Sequence, residues 1–296
     1  MSQHHKSIDY VRSLFFIAVT LGIALGASDG VFSYFNVPAP ILIMIASFII
    51  HWLAFIPSFF YRTEKYYDFT GMIAYLSCVA LSLILIYQSK GIIHMRTLIV
   101  SSMVVIWTVR LGTFLFKRIK LEKEDKRFKD LKNSFSGFLF AWTISGAWVF
   151  ITASNAFTMT INNYNSIADV YFYLGTILWI FGFLFEVISD EQKRRFKLDK
   201  NNKGKFISTG LWSISRHPNY FGEIVLWFGI SVISFPTLNS WQFITLISPV
   251  FVFLLLTKVS GVNHLEKRSD QEWGEDPSYI QYKTSTPVLF PYIGSK

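Results

Sequence analysis

A single cysteine, Cys78, leaves this 296-residue chain without an internal disulfide and without any CxxC metal or redox motif. It sits in an apolar run, where a thiol behaves as a small buried hydrophobe. Charge is sparse as well. Asp, Glu, Lys and Arg make up 16% of the residues, against about 25% in soluble domains. Familiar site motifs are missing: no GxGxxG follows a strand, and GxxxxGK[ST] and HExxH do not occur. Rossmann and P-loop nucleotide sites and zincin chemistry are thereby excluded. "MSQHH" is too isolated and terminal to hold a metal, so no metal site is expected. No internal repeat is visible.

What is present is apolar and aromatic. Hydrophobic residues make up 52% of the chain and aromatics 18%, with a mean hydropathy of +0.38. These values predict an all-α, polytopic membrane bundle of seven or eight helices, a single integral membrane domain over 1–296. Apolar windows fall at 11–27, 37–57, 70–87, 97–116, 135–159, 167–189, 220–235 and 241–260. A span needs roughly 20 residues, so the first window is short and the seventh clearly so. The basic N-terminus has no small-residue cleavage site after it and reads as a retained first span.

Lys and Arg concentrate in 58–69, 117–134, 190–219 and the two termini, while the alternate loops hold only Lys90 and Arg96. This asymmetry predicts that both termini and the basic loops face the cytoplasm. The net charge of +9 then points to anionic lipid headgroups rather than to nucleic acid. Localisation follows: inner membrane in a bacterium, endoplasmic reticulum in a eukaryote. Gly22, Gly26 and Gly30 recur at four-residue spacing, which permits close helix packing. The mixed-charge run "KRIKLEKEDKRFKDLKN" reads as a solvated face, with Asp125 and Arg127 as exceptions.

Three polar clusters fall on the same expected face. In "EVISDEQKRRF", Glu186, Asp190 and Arg194 are four apart and stack on one helix face. An Asp190–Arg194 ion pair accounts for two of them but leaves Glu186, deeper in the apolar run, unexplained. In "GLWSISRHPNYFGE", Pro218 suits the first turn of a helix whose free amides favour an anion. Asn219, Glu223 and Trp227 again recur every four residues, and Arg216 at the helix mouth has the fork to hold an anion bidentately. His217, before the proline, is a cap or surface residue more readily than a catalyst. The third cluster, "KVSGVNHLEKRSDQEWGEDPSYIQY", carries His264 and Glu266, with structural and functional readings equally open. Snorkelling explains Lys258. Ion transport fits less well, because the ionisable groups gather at one end rather than at the midplane. These residues together predict a cavity open to the cytoplasm, with an anionic cofactor at its rim and an apolar substrate entering from the bilayer.

"FEVISDEQKRRFKLDKNNKGKFISTGLWSISRHPNYFGEIVLW" resembles the C-terminal signature of the steroid 5-alpha-reductase superfamily, in its largely uncharacterised, mostly bacterial branch. The resemblance runs from "TVRLGTFLFKRI" through "EDKRF" to "SGVNHLEKRSDQEWGEDPSYIQYK", more than half of the chain. D-x-Q-K-x-x-F, N-K-G-K-F and S-R-H-P-N-Y-F-G-E together are specific. R-H-P-x-Y alone also occurs in prenylcysteine and phospholipid methyltransferases, which use S-adenosylmethionine.

The resemblance implies an NADPH-dependent reductase of activated carbon–carbon double bonds, with 1–96 on the substrate side and 97–296 as the reductase-like core. Its cofactor-binding positions would be Asp190, Arg194, Arg195, Arg216, His217, Asn219, Glu223 and Trp227. Glu186 would line the nicotinamide end, and Tyr220 or water near Glu186 would deliver a proton. No obligate protein partner is implied. Two positions depart from the steroid enzymes. Their Gln-Glu-Leu-Pro-like element falls on "LAFIPSFF", with Ala54 and Phe55 in the polar positions, and a catalytic tyrosine falls near Trp107. Both changes speak against a 3-ketosteroid substrate.

Overall fold

The computed structural model describes residues 3–122, 124–125, 128–165, 169–259 and 261–291. The expected all-α bundle is what forms. The helices are α1 (Gln3–Ala27), α2 (Ala39–Phe60), α3 (Tyr67–Lys90), α4 (Met95–Glu122), α5 (Phe135–Asn162), α6 (Val170–Leu198), α7 (Pro218–Ser234), α8 (Ser248–Leu254), α9 (Val262–Trp273) and α10 (Pro277–Ser285). The strands among the described residues are β1 (Ser33–Tyr34) and β2 (Val37–Pro38), paired antiparallel in the α1–α2 connection. Among the described residues eight helical segments are long and apolar enough to cross a membrane, one for each apolar window, and the chain is an integral multi-pass membrane protein. The first segment, Ser7–Ala27, has 21 residues. The seventh is longer than its window suggests. A 3₁₀ turn at Phe235–Thr237 carries α7 on to 20 residues, so it is not the clearly short helix expected from 220–235.

The chain forms two compact units. The first comprises Met1–Asp169 and Ser234–Ser248. Its axis is α5, which packs against α1, α2, α3 and α4. The composition of α5 explains this position: Gly, Ala, Ser and Thr are spread among large apolar residues on every side, and a helix without a polar face is a core helix. Small residues let the backbones approach. The Ser47 hydroxyl donates to the Gly146 carbonyl at 2.8 Å, and a Cβ at Gly146 would stand 3.0 Å from Phe48. Ser134 caps the helix start by accepting from the Gly137 amide, and left-handed Asn163 closes the other end.

Asn163 also organises the loop beside it, accepting from the His94 amide at 2.9 Å and donating to the Ile92 carbonyl at 2.8 Å. The two cations of segment 88–96 are both engaged locally. Arg96 forms a bidentate pair with Asp169, and Lys90 donates to the Asn162 carbonyl. Near the opposite ends of these helices Glu64 is buried, accepting from the Asp125 amide and from Lys132. The backbone of Asp125 is thereby tied to Glu64, and the residue is half-buried; Arg127 lies outside the described residues. The glycine triplet of α1 is only partly a packing device. A Cβ at Gly26 would meet Ile244 at 2.6 Å, but Gly22 faces open space and Gly30 lies beyond the helix at φ +68°.

The second unit comprises Val170–Ile233 and Pro249–Lys296. Its frame is the antiparallel pair α6–α7, in backbone contact at two levels. A Cβ at Gly182 would lie 2.5 Å from the Leu226 nitrogen, and one at Gly222 would lie 2.6 Å from the Glu186 nitrogen. One level further along, a Cβ at Gly175 would meet the Gly229 carbonyl at 2.5 Å. Seven residues separate the glycines on each helix, two turns, so the same face returns.

Candidate functional site

The α6–α7 contact decides which polar residues meet. Each carries its stripe one turn or so past the glycines, toward the end of α6 and the start of α7. There Asn219 donates to Asp190 at 3.2 Å. Glu186, Asp190, Glu223 and Trp227 are all buried. Three buried carboxylates and a half-buried amide therefore share one helix pair, where each buried group needs a polar partner.

Beyond the stripe, the loop from α6 to α7 folds back onto α6. Gly210 takes a left-handed φ of +62°, in a space where any Cβ would strike the Gln192 amide. Gln192 accepts from the Leu211 amide at 2.9 Å, and the Trp212 indole donates to the Ser189 carbonyl at 3.0 Å. The ammonium of Lys193 lies over the Trp212 ring.

The helix mouth is a closed network of its own. The Arg216 guanidinium grips Glu266 with Nε and Nη2, at 3.2 and 2.9 Å, and Nη1 donates to the Lys283 and Thr286 carbonyls. In this conformation Arg216 does not present the free anion-binding fork that the sequence suggests. It ties α9, α10 and the chain after α10 to the start of α7. His217 is buried, not on the surface: its Nε2 meets the same carboxylate at 2.9 Å, and its ring stacks on Tyr220 at 5.6 Å. Burial pulls its pKa below the ordinary imidazole value, against the upward pull of Glu266, so the ring is neutral at neutral pH and Nε2 donates. Glu266 is the residue that joins the second and third sequence clusters; His264 stays exposed.

Arg194 and Arg195 point elsewhere. Arg194 donates to Glu191 at 2.6 and 2.7 Å and Arg195 to the same carboxylate at 2.6 Å, in place of the expected Asp190–Arg194 ion pair. Their side chains are 48% and 77% exposed, so they form a water-facing cationic rim.

The tail of the unit is latched by polar contacts around an aromatic cluster of Phe206, Trp273, Tyr279 and Tyr282. The Trp273 indole donates to the Gly204 carbonyl and the Tyr282 hydroxyl to the Trp212 carbonyl. Burial raises the Tyr282 phenol, and burial together with Asp270 pushes Tyr279 up to about 12. A cavity of about 370 Å³ lies against this cluster, lined by Lys205, Ser208, Asp276 and Ser278 among others. None of the carboxylates of the α6–α7 stripe lines it. Among the described residues no group of three or more His, Cys, Asp or Glu side chains is arranged to hold a metal ion.

Sequence reasoning missed the two glycine pairs, although their seven-residue spacing on consecutive helices is a readable signal. It also missed Glu191, Gln192 and Trp212, whose roles arise from a loop returning onto α6 and carry no periodic mark.

The family described as "Protein of unknown function (DUF1295)" matches residues 54–286. The chain is 31% identical to 3-oxo-5-alpha-steroid 4-dehydrogenase 1 of Bos taurus, over 43% of this chain and 44% of that protein. It is 30% identical to a probable O-methyltransferase of Ustilaginoidea virens, over 32% of this chain and 38% of that protein. The chain thus aligns with less than half the length of either curated relative. No solved structure matches it significantly.

Proposed function

We propose, on the premise that the chain belongs to this steroid 5-alpha-reductase-like family, that it is a membrane-embedded reductase using NADPH to saturate a carbon–carbon double bond in a lipophilic substrate. The observation that carries this reading is the stripe of buried Glu186, Asp190 and Glu223 with half-buried Asn219 on one glycine-paired helix couple. The donor set fits the group: buried carboxylates accept from the amide and ribose hydroxyls of a dinucleotide, and Asn219 has both a donor and an acceptor. The exposed cations Arg194 and Arg195 suit its phosphates. Bound NADPH supplies a hydride from its nicotinamide ring.

The protein's own residues have separable tasks. Asp190 and Asn219 orient each other and set the polar end of the stripe. Glu191 draws two guanidinium groups together at the rim, concentrating positive charge where a 2′-phosphate is to be recognised. Arg216, held by Glu266, is a positioning residue that fixes the start of α7 and hence Asn219 and Glu223. A hydride acceptor needs a proton at the neighbouring carbon, and Glu186 and the Tyr220 phenol are the groups of this unit assigned to that transfer. The basic loop 190–219 and the C-terminus face the cytoplasm, where the cofactor is available.

A second reading rests on the similarity to a probable O-methyltransferase, and it replaces NADPH with S-adenosylmethionine. Binding by purified protein separates the two. NADPH is expected to raise the unfolding temperature, and Asn219→Ala and Glu223→Ala to weaken its binding by tenfold or more, roughly one charge-assisted hydrogen bond each. Stabilisation by S-adenosylmethionine with none by NADPH would show the reductase reading to be wrong. For the substrate, a lipid extract incubated with enzyme and NADPH should yield a species heavier by two hydrogens.

A further inference from the structure

Two sequence motifs that the proposed reaction does not use meet in the second unit. Residues 202–206 are the N-K-G-K-F run of the loop after α6, and residues 276–282 cover the start of α10. Both contribute to the cavity of about 370 Å³, within the roughly 300–1,000 Å³ of small-molecule sites. Gly204, at φ +79°, turns the loop, and its carbonyl is fixed by the Trp273 indole at 2.7 Å. Lys205 lines the cavity, and among the described residues its ammonium enters no hydrogen bond or ion pair. The Ser208 hydroxyl, which also lines it, is equally free. The start of α10 supplies the opposite charge. Asp276 caps the helix by accepting from the Ser278 amide and hydroxyl at 2.8 and 2.6 Å. Both bonds fall on Oδ1, which leaves Oδ2 as an acceptor. They also hold the Asp276 carboxyl below the usual carboxylate range, so it is ionised at neutral pH.

The cavity also has a defined depth. Tyr282 in its lining donates to the Trp212 carbonyl at 2.6 Å, and the Trp212 indole donates to Ser189, the last residue of the sixth apolar window. One tryptophan and its two hydrogen bonds thus separate this wall from the hydrocarbon edge of α6, which is headgroup depth. Trp273, Tyr279 and Tyr282 are the residue types that gather at that level. We propose that this cavity binds the phosphoethanolamine headgroup of a membrane phospholipid, its phosphate on Lys205 and Ser208 and its primary ammonium on Asp276. The lining decides among headgroups. An anionic glycerol headgroup would leave the Asp276 carboxylate beside a like charge. A choline headgroup has no N–H to donate and needs open aromatic faces, but Phe206 and Tyr282 stack on each other at 5.5 Å. The ethanolamine ammonium brings donors for the carboxylate and the phosphate brings acceptors for Lys205 and Ser208. The site uses no residue assigned to the cofactor, so its failure and that of the reductase reading are separate.

The test titrates the purified full chain with dihexanoyl phospholipids bearing ethanolamine, choline or glycerol headgroups, read by unfolding temperature and native mass spectrometry. The ethanolamine lipid should bind about tenfold more tightly than either of the others. Lys205→Gln should weaken the ethanolamine and choline lipids alike, by about tenfold. Asp276→Asn keeps the helix cap, because Asn caps about as well as Asp, and should abolish the preference for ethanolamine over choline. Soluble glycerophosphoethanolamine should bind roughly tenfold more weakly than the lipid, for want of acyl chains. Equal binding of that soluble ester would overturn the assignment to a lipid. Equal binding of the three lipids, or a preference that survives Asp276→Asn, would overturn the proposal. So would displacement of the ethanolamine lipid by NADPH, which would place the cofactor in this cavity.

Discussion

Glycine is used in opposite ways in α1 and in the α6–α7 pair. At the end of α1 and just beyond it the sequence advertises its glycines, three in nine residues, yet only Gly26 stands against a neighbour, the Ile244 side chain and the Trp241 carbonyl. In α6 and α7 the glycines lie two turns apart and draw no attention, yet Gly182 and Gly222 stand against backbone atoms that cannot move aside. Spacing by four proves weaker evidence of close packing than spacing by seven repeated on two consecutive helices. Helix contact depends on what lies across from the small residue, and only the partner helix supplies that.

The largest expected effect sharpens this contrast directly. Gly182→Ala should destabilise the protein by several kcal/mol or prevent folding, because its Cβ would lie 2.5 Å from the Leu226 nitrogen. Gly22→Ala should be neutral or stabilising by up to about 1 kcal/mol, since nothing lies within 4 Å and alanine is the better helix former. Thermal unfolding in one detergent measures both, and equal losses would break the comparison.

Next in size is the contrast between buried and exposed ion pairs in the second unit. Glu266→Gln should cost roughly 3 kcal/mol, because it leaves the mostly buried Arg216 without its charge partner. Glu191→Gln at the exposed rim should leave the unfolding midpoint nearly unchanged. The unfolding midpoints of the two variants, side by side, give the difference.

How much was legible follows from these cases. All eight spans could be read, because an apolar run of about 20 residues has few alternatives. The stripes at Glu186 and Asp190 and at Asn219 and Glu223 could also be read, since a helical period fixes which side chains share a face. The fate of each cation could not. Arg194 turning to Glu191 and Arg216 turning to Glu266 depend on choices among several carboxylates within reach. Sequence ranks such choices poorly, because the energies separating them are small and the partner of Arg216 lies 50 residues away.

A smaller effect is expected from pH. The folded state holds His217 neutral below its ordinary pKa, so nothing changes above about pH 6.5, where both states are neutral. As pH falls through that value the unfolded chain takes up a proton that the folded chain refuses, and stability drops, by at most about 1.4 kcal/mol per pH unit. His217→Gln should flatten this part of the pH profile relative to wild type; an unchanged slope between pH 6.5 and 5 would remove His217 as its origin.

The smallest effect on stability separates rim from core. Arg195→Gln should leave the unfolding midpoint within about 0.5 kcal/mol while weakening NADPH more than NADH. Equal losses for the two nucleotides, measured by titration, would detach Arg195 from the 2′-phosphate.

The glycine contacts between α6 and α7 have a further, entropic consequence. A seam built from long side chains must freeze their rotamers when it forms, at up to about 2 kcal/mol for each flexible chain. Where Gly182 meets Gly222 backbone to backbone, the seam has no rotamers to freeze. The alignment of Asp190 with Asn219 therefore rests at this nearest level on a contact with no alternative side-chain states, and warming does not soften it by populating them.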